Sequence, residues 1–260
     1  MNLFIDVGNT SIHWRLSSGP GKASPTVSLR HRHSWDTALT TLSTTLGETL
    51  VSGVWVASVA GRVAKDAIEK WSKEQFSLAP VFVSSQQKTG SVINAYDNPE
   101  QLGVDRWMAL LAAHNFIQKE KTSAALVVDA GTAMTVDAIL NDGSHLGGNI
   151  IAGLELQQEN LLKGTNGIQD SHGEESIWGA NTASAVANGA FFALIGAVQV
   201  AYQELLKECP VGSDVTVLLS GGDAETLEQY FISQNEFSYS VHINLVLDGL
   251  EIYSDLLNLD

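Results

Sequence analysis

The stretch LFIDVGNTS (Leu3–Ser11) decides the fold: an apolar run, then Asp, a small residue, Gly and hydroxyl-bearing side chains. An apolar run bounded by Gly, Asn and Asp reads as a buried strand ending in a tight turn. Directly after it, Ile12-His13-Trp14-Arg15-Leu16 alternates apolar and polar side chains, so the two segments read as an antiparallel hairpin. LVVDAGTAM (Leu126–Met134) repeats the pattern close to half the chain length further on, and Met134 to Leu140 supplies its return strand. This spacing predicts two similar halves, each opening with strand, turn and strand.

The rest of the chain fits that plan. Val54 to Val59 and Val215 to Leu219 read as further buried strands, and Arg62 to Trp71 and Ala224 to Phe231 as helices. Strands alternating with helices predict an α/β architecture. A boundary between Asn115 and Ser123 divides the chain into halves 1–117 and 118–260. Asn141 to Gly148 is rich in Gly and polar residues and reads as a loop. Ala183, Val186, Ala187, Ala190, Phe191, Leu194, Ile195 and Val198 keep helical spacing, with small residues in the first half. Core packing and a subunit interface both explain that pattern, with core packing ahead.

Composition excludes several classes. The 260 residues are 44% apolar, far above what a disordered chain carries. With 29 acidic against 14 basic residues the formal net charge is −15, the wrong sign for a nucleic-acid binder, which must displace counterions. The apolar stretches read as interrupted before the ~20 residues a bilayer requires. MNLFIDVGNT has neither a basic nor a long apolar region of the signal-peptide kind. A cytoplasmic protein with no membrane partner is therefore expected. Cys209, the only cysteine, reads as a half-buried hydrophobe. His31-Arg32-His33 has no second ligand cluster nearby and reads as a solvated surface turn. The six tryptophans are scattered and form no stacking platform for single strands.

Chemistry concentrates in four places. In Asp6-Val7-Gly8-Asn9-Thr10, a tight turn exposes backbone N–H groups that bind an anion without a positive side chain. Asp6 repels phosphate directly and makes sense as a ligand of Mg²⁺ or its waters. Alone, such a turn is an ordinary hairpin; Asp129-Ala130-Gly131-Thr132 repeats it, and the pair suggests a polyphosphate clamped by both halves. Ser220-Gly221-Gly222-Asp223 follows a strand and precedes a helix, which by itself is a plain strand-to-helix turn. The densest segment runs from Tyr96 through Asn98-Pro99 and Gly103-Val104-Asp105-Arg106 into an apolar helix at Trp107. Asp105 is either a first-turn acid with Arg106 as its ion-pair partner, or a base on a substrate hydroxyl with Arg106 gripping a substrate carboxylate. Both readings stand at this point. There is no Gly-x-x-x-x-Gly-Lys-Ser/Thr phosphate loop.

Asp6-x-Gly-Asn-Thr10, Tyr96-x-Asn-Pro99, Leu102-Gly-x-Asp-Arg-Trp107, Asp129-x-Gly-Thr-Ala133, Gly147-Gly148, Gly153-Leu154 and Asn181-Thr182 occur in this order. Taken together, they resemble the type III pantothenate kinases of the acetate/sugar kinase and actin-like ATPase superfamily, over nearly the whole chain. That resemblance implies two actin-like, ribonuclease H-like halves of mixed sheets flanked by helices, with ATP in the cleft between them. It implies transfer of the ATP γ-phosphoryl group to pantothenate, the first step of coenzyme A synthesis. By the same resemblance Asp6, Val7, Gly8, Asn9, Thr10, Ser11, Ile12, His13 and Thr132 bind ATP with Mg²⁺. Asp129 holds a monovalent cation, K⁺ or NH₄⁺, and Asp105 is the proton acceptor. Tyr96, Gly103, Val104, Asp105, Arg106 and Thr182 bind pantothenate, and the chain forms a homodimer. Ala152 departs from the family's usual Pro. The rivals are a kinase for another small hydroxy acid or sugar, a non-catalytic nucleotide-binding regulator of the same fold, and a filament-forming actin relative; the short chain disfavours the last.

Overall fold

A computed structural model describes residues 1–19, 21–31, 34–168, 170, 178–234 and 237–257. The strands are β1 (Asn2–Val7), β2 (Ser11–Ser17), β3 (Val27–Arg30), β4 (Gly53–Ser58), β5 (Val81–Phe82), β6 (Lys88–Thr89), β7 (Val92–Ile93), β8 (Ala124–Ala130), β9 (Ala133–Leu140), β10 (His145–Ala152), β11 (Val215–Ser220) and β12 (Ser238–Val241). The helices are α1 (Trp35–Leu46), α2 (Gly61–Phe76), α3 (Val104–Glu120), α4 (Leu154–Gly164), α5 (Thr182–Glu208), α6 (Ala224–Gln234) and α7 (Leu245–Leu257).

Two five-stranded sheets share one topology. The first runs β3-β2-β1-β4-β5 and the second β10-β9-β8-β11-β12. In each, the opening hairpin and the strand beyond it are antiparallel, and the remaining pairs are parallel. Asp6 is the penultimate residue of β1 and Asp129 that of β8, so the repeated motif occupies equivalent places in both sheets.

The chain divides into two compact units. Unit one comprises Met1–Phe116, Asp142–Ser144 and the segment from Asn244; unit two comprises Ile117–Asn141 and His145–Ile243. α7 therefore returns to the first unit, which a single cut at 117 does not capture. It packs on β1, β4 and β2. Leu3, Ile5 and Val7 meet α1 and α2 on one face of the first sheet, through Leu39, Leu42 and Ile68. Such two-sided cover explains why β1 reads as a continuous apolar run rather than an alternating one. In unit two, Leu126, Val128, Val217 and Leu219 pack with Leu194, Val198, Leu227 and Phe231.

Two sequence expectations are corrected. The predicted loop from Asn141 to Gly148 is a turn only as far as Ser144; His145–Ala152 is strand β10, paired with β9 and bulged between His145 and Gly147. Gly147 and Gly148 hide the side-chain alternation, and the β9 ladder supplies what propensity lacks. Second, α5 spans 27 residues and is long and apolar enough, by length and composition, to cross a bilayer. Thr182, Ser184, Asn188 and Gln199 are polar but uncharged, and the helix carries no charge before Glu204. Its buried side, with Leu194, Ile195, Val198 and Leu205, belongs to the second core.

Candidate functional site

The first turn closes on itself. Gly8 N–H donates to Ser11 O at 2.9 Å, and an ideal Cβ on Gly8 would lie 3.4 Å from the same oxygen. Asn9 and Thr10 are exposed at the tip, while Asp6 is half-buried. In the second turn Gly131 N–H donates to Ala133 O at 3.2 Å, and Thr132 is exposed. The two glycine N–H groups are thus engaged within the hairpins. His13, on β2, meets Ser28 Oγ at 2.7 Å, and burial pushes its imidazole pKa down.

The second turn is built from three separate segments of unit two. Ser220 pairs with Asp129, and Asp223 N–H donates to Ala130 O at 2.9 Å. Gly221 has φ +88°, and a Cβ there would collide with Ala130 O and stand against the Asp129 carboxylate. Only glycine combines that backbone with so close an approach. The Gly-Gly turn, ordinary in sequence, is thereby the neighbour of Asp129. Gly153 N–H donates to Thr132 O at 3.0 Å, and a Cβ there would overlap the Gly131 and Thr132 carbonyls. Ala152, in place of the usual Pro, is the last residue of β10 and accepts from Gln157 Nε2 at 2.7 Å.

In unit one, α3 begins beyond a short 3-10 turn (Pro99–Gln101) capped by Asn98, whose side chain accepts from Glu100 N. Asp105 lies in the first turn of α3, half-buried, and its Oδ1 accepts from Arg106 N at 2.7 Å. A Cβ at Gly103 would stand 2.5 Å from that oxygen, so the glycine leaves room for the carboxylate. The helix N-terminus favours the negative charge. Arg106 is buried; one of its nitrogens donates to Tyr96 Oη at 3.0 Å, and its guanidinium carbon lies 5.7 Å from the centre of the Tyr96 ring. Buried Val104 starts the same turn. Tyr96, Gly103, Val104, Asp105 and Arg106 are therefore one local assembly. Thr182 opens α5, exposed, next to Asn181, whose side chain caps the helix by accepting from Ser184 N at 2.9 Å. Asn181 and Thr182 line a cavity of about 580 Å³ with Leu161, Ala185, Val186 and Gly189.

Sequence reasoning missed the supports. Asn94 is 3% exposed; its Oδ1 accepts from Tyr96 N, and its amide donates to Gln86 O and Pro99 O. Buried Ser85 donates to Leu102 O at 2.8 Å. Ser85 reaches a carbonyl 17 residues away, which no local pattern encodes. Asn94 works within its own loop, and its bond to the N–H two residues on is the local turn signal that could have marked it. His31 is also buried, not solvated, while Arg32 and His33 lie outside the described residues. Cys209 is half-buried as expected, and burial pushes its thiol pKa up.

Two halves of one topology, each with an Asp-x-Gly hairpin turn ending its central strand, define an actin-like, sugar-kinase-type fold. Among solved structures, a putative 2-dehydro-3-deoxygalactonokinase from Sinorhizobium meliloti aligns with TM-score 0.62 at 12% identity, covering 99% of both chains. A conserved putative Baf family transcriptional activator from Campylobacter jejuni aligns with TM-score 0.58 at 18% identity, covering 99% of this chain and 100% of its own. At those identities the likeness concerns the fold alone. The type III pantothenate kinase family model matches residues 2–204. A type III pantothenate kinase from Alcanivorax borkumensis is 33% identical over 252 residues, 96% of this chain and 97% of its own. The chain belongs to the type III pantothenate kinase family.

Proposed function

We propose that the protein transfers the γ-phosphoryl group of ATP to the primary hydroxyl of pantothenate, giving 4′-phosphopantothenate and ADP at the start of coenzyme A synthesis. The family match, which spans both turns and the Tyr96–Trp107 block, is the observation that carries this reading.

Asp6, Val7, Gly8, Asn9, Thr10, Ser11, Ile12 and His13, with Thr132, contact ATP. Tyr96, Gly103, Val104, Arg106 and Thr182 hold pantothenate, with Arg106 taking the carboxylate. Asp105 accepts the hydroxyl proton as the alcohol oxygen bonds to the γ-phosphorus and the bond to the bridging oxygen breaks. Its place in the first turn of α3, with its carboxylate held by the Arg106 backbone N–H in the space Gly103 leaves, supports that role.

Among the described residues no three His, Cys, Asp or Glu side chains converge to hold a metal. Single carboxylates suit Mg²⁺, which keeps its waters and binds through phosphate oxygens. Asp6 fits that use, and Asp129, set against the Ser220–Asp223 turn, would hold K⁺ or NH₄⁺. Bound there, the two cations supply positive charge that an acidic chain lacks.

A homodimer forms through α5, whose Ala185, Gly189, Ala193 and Val200 stay exposed along one face, and the enzyme works in the cytoplasm. The test of function is a coupled ADP-release assay over a panel of hydroxy acids and sugars. Pantothenate supports turnover; release driven only by a sugar or by acetate rejects the reading.

A further inference from the structure

His31 is the first residue after β3 and is 4% exposed. Its ring stacks on Trp35 at a centroid distance of 4.1 Å and an interplanar angle of 29°. Trp35 begins α1 and is part of the first core. From that anchored position His31 grips the first turn at two points. Nε2 lies 3.1 Å from Gly8 O, and because a carbonyl only accepts, the nitrogen donates. The backbone N–H of the same residue donates to Thr10 O at 3.0 Å.

Peptide planarity gives these two bonds a consequence at the turn. In a trans peptide the carbonyl and the following N–H point in opposite directions. Holding Gly8 O toward His31 therefore turns the Asn9 N–H away from His31. With the Gly8 N–H already committed to Ser11 O, Asn9 carries the turn amide whose direction His31 sets.

We propose that His31 is a positioning residue for nucleotide: it orients the Asn9 amide of the first turn for a phosphate oxygen by clamping the Gly8 carbonyl from the core side. The inference rests on the reading of Asp6 to Thr10 as a phosphate turn and adds a residue that touches neither substrate. Its action is confined to ATP, since the pantothenate residues belong to other segments.

Two variants separate the donor from the stack. His31→Phe keeps an aromatic face on Trp35 and loses the N–H; His31→Gln keeps a donor of similar reach and loses the ring. Steady-state kinetics on the full chain, with thermal melting to verify folding, should show KM for ATP rising about tenfold in His31→Phe, as for a lost buried hydrogen bond. KM for pantothenate should stay within about twofold, and His31→Gln should recover most of the ATP affinity. A His31→Phe enzyme with unchanged KM for ATP, or equal losses in the two variants, overturns the clamp. Asp6→Asn and Thr10→Ala serve as references. If they weaken ATP while His31→Phe does not, the clamp alone falls; if all three leave ATP untouched, the phosphate-turn reading falls with it.

Discussion

Asp105 holds its carboxylate over the first turn of α3, against its neighbour's N–H and in the space Gly103 leaves. Replacing it by Asn preserves shape and hydrogen bonding but removes the base. Asp105→Asn should lower kcat by about 100-fold or more while calorimetry still detects ATP binding; normal turnover would remove Asp105 from the chemistry. His13 yields a second expectation at this scale. Burial lowers its pKa in the folded state, so the unfolded chain takes a proton that the folded chain resists. Its contribution to stability is therefore present above the ordinary imidazole value of about 6.5 and is lost as pH falls from there through the lowered folded-state value. Melting temperature should drop as pH falls below about 6.5, and His13→Asn should flatten that slope.

At the scale of elements, α7 is tied to the first sheet by one buried cation. Arg15, on β2, meets Asp248 at 2.7 Å and Glu251 at 3.0 Å. Burial pushes the Glu251 carboxyl pKa up by more than Arg15 draws it down, so this pair costs desolvation as well as gaining attraction. Removing only the cation leaves Glu251 half-buried and uncompensated. Arg15→Ala should cost about 2–3 kcal/mol in urea unfolding; an unchanged midpoint would mean α7 is held by packing alone. Both opening hairpins are legible in the sequence because an apolar run, Asp-x-Gly and alternation are local signals. β10 is not, since two glycines erase the alternation that its β9 partner restores. The charge-free length of α5 is masked in sequence by scattered polar residues that look like breaks. His31 and Gly221 owe their roles to partners far away in sequence, and no local pattern encodes such contacts. Asp105 and Arg106 stand out as residues, but the Tyr96 contact that pins Arg106 needs coordinates.

At the scale of the whole molecule, the shared strand order of the two sheets means the Asp-x-Gly turn was placed twice by the same topology. The uncovered small-residue face of α5 predicts that light scattering finds twice the chain mass in solution, and that Val200→Glu shifts it toward monomer; a wild-type monomer would remove the dimer from the account. The central claim is phosphorylation of pantothenate, and the most direct measurement is ³¹P NMR of the full chain incubated with ATP, Mg²⁺, K⁺ or NH₄⁺, and pantothenate. A phosphate monoester resonance matching 4′-phosphopantothenate should grow in step with ADP and vanish when pantothenate is omitted. ADP accumulating without that ester, or no turnover in the complete mixture, would contradict the account.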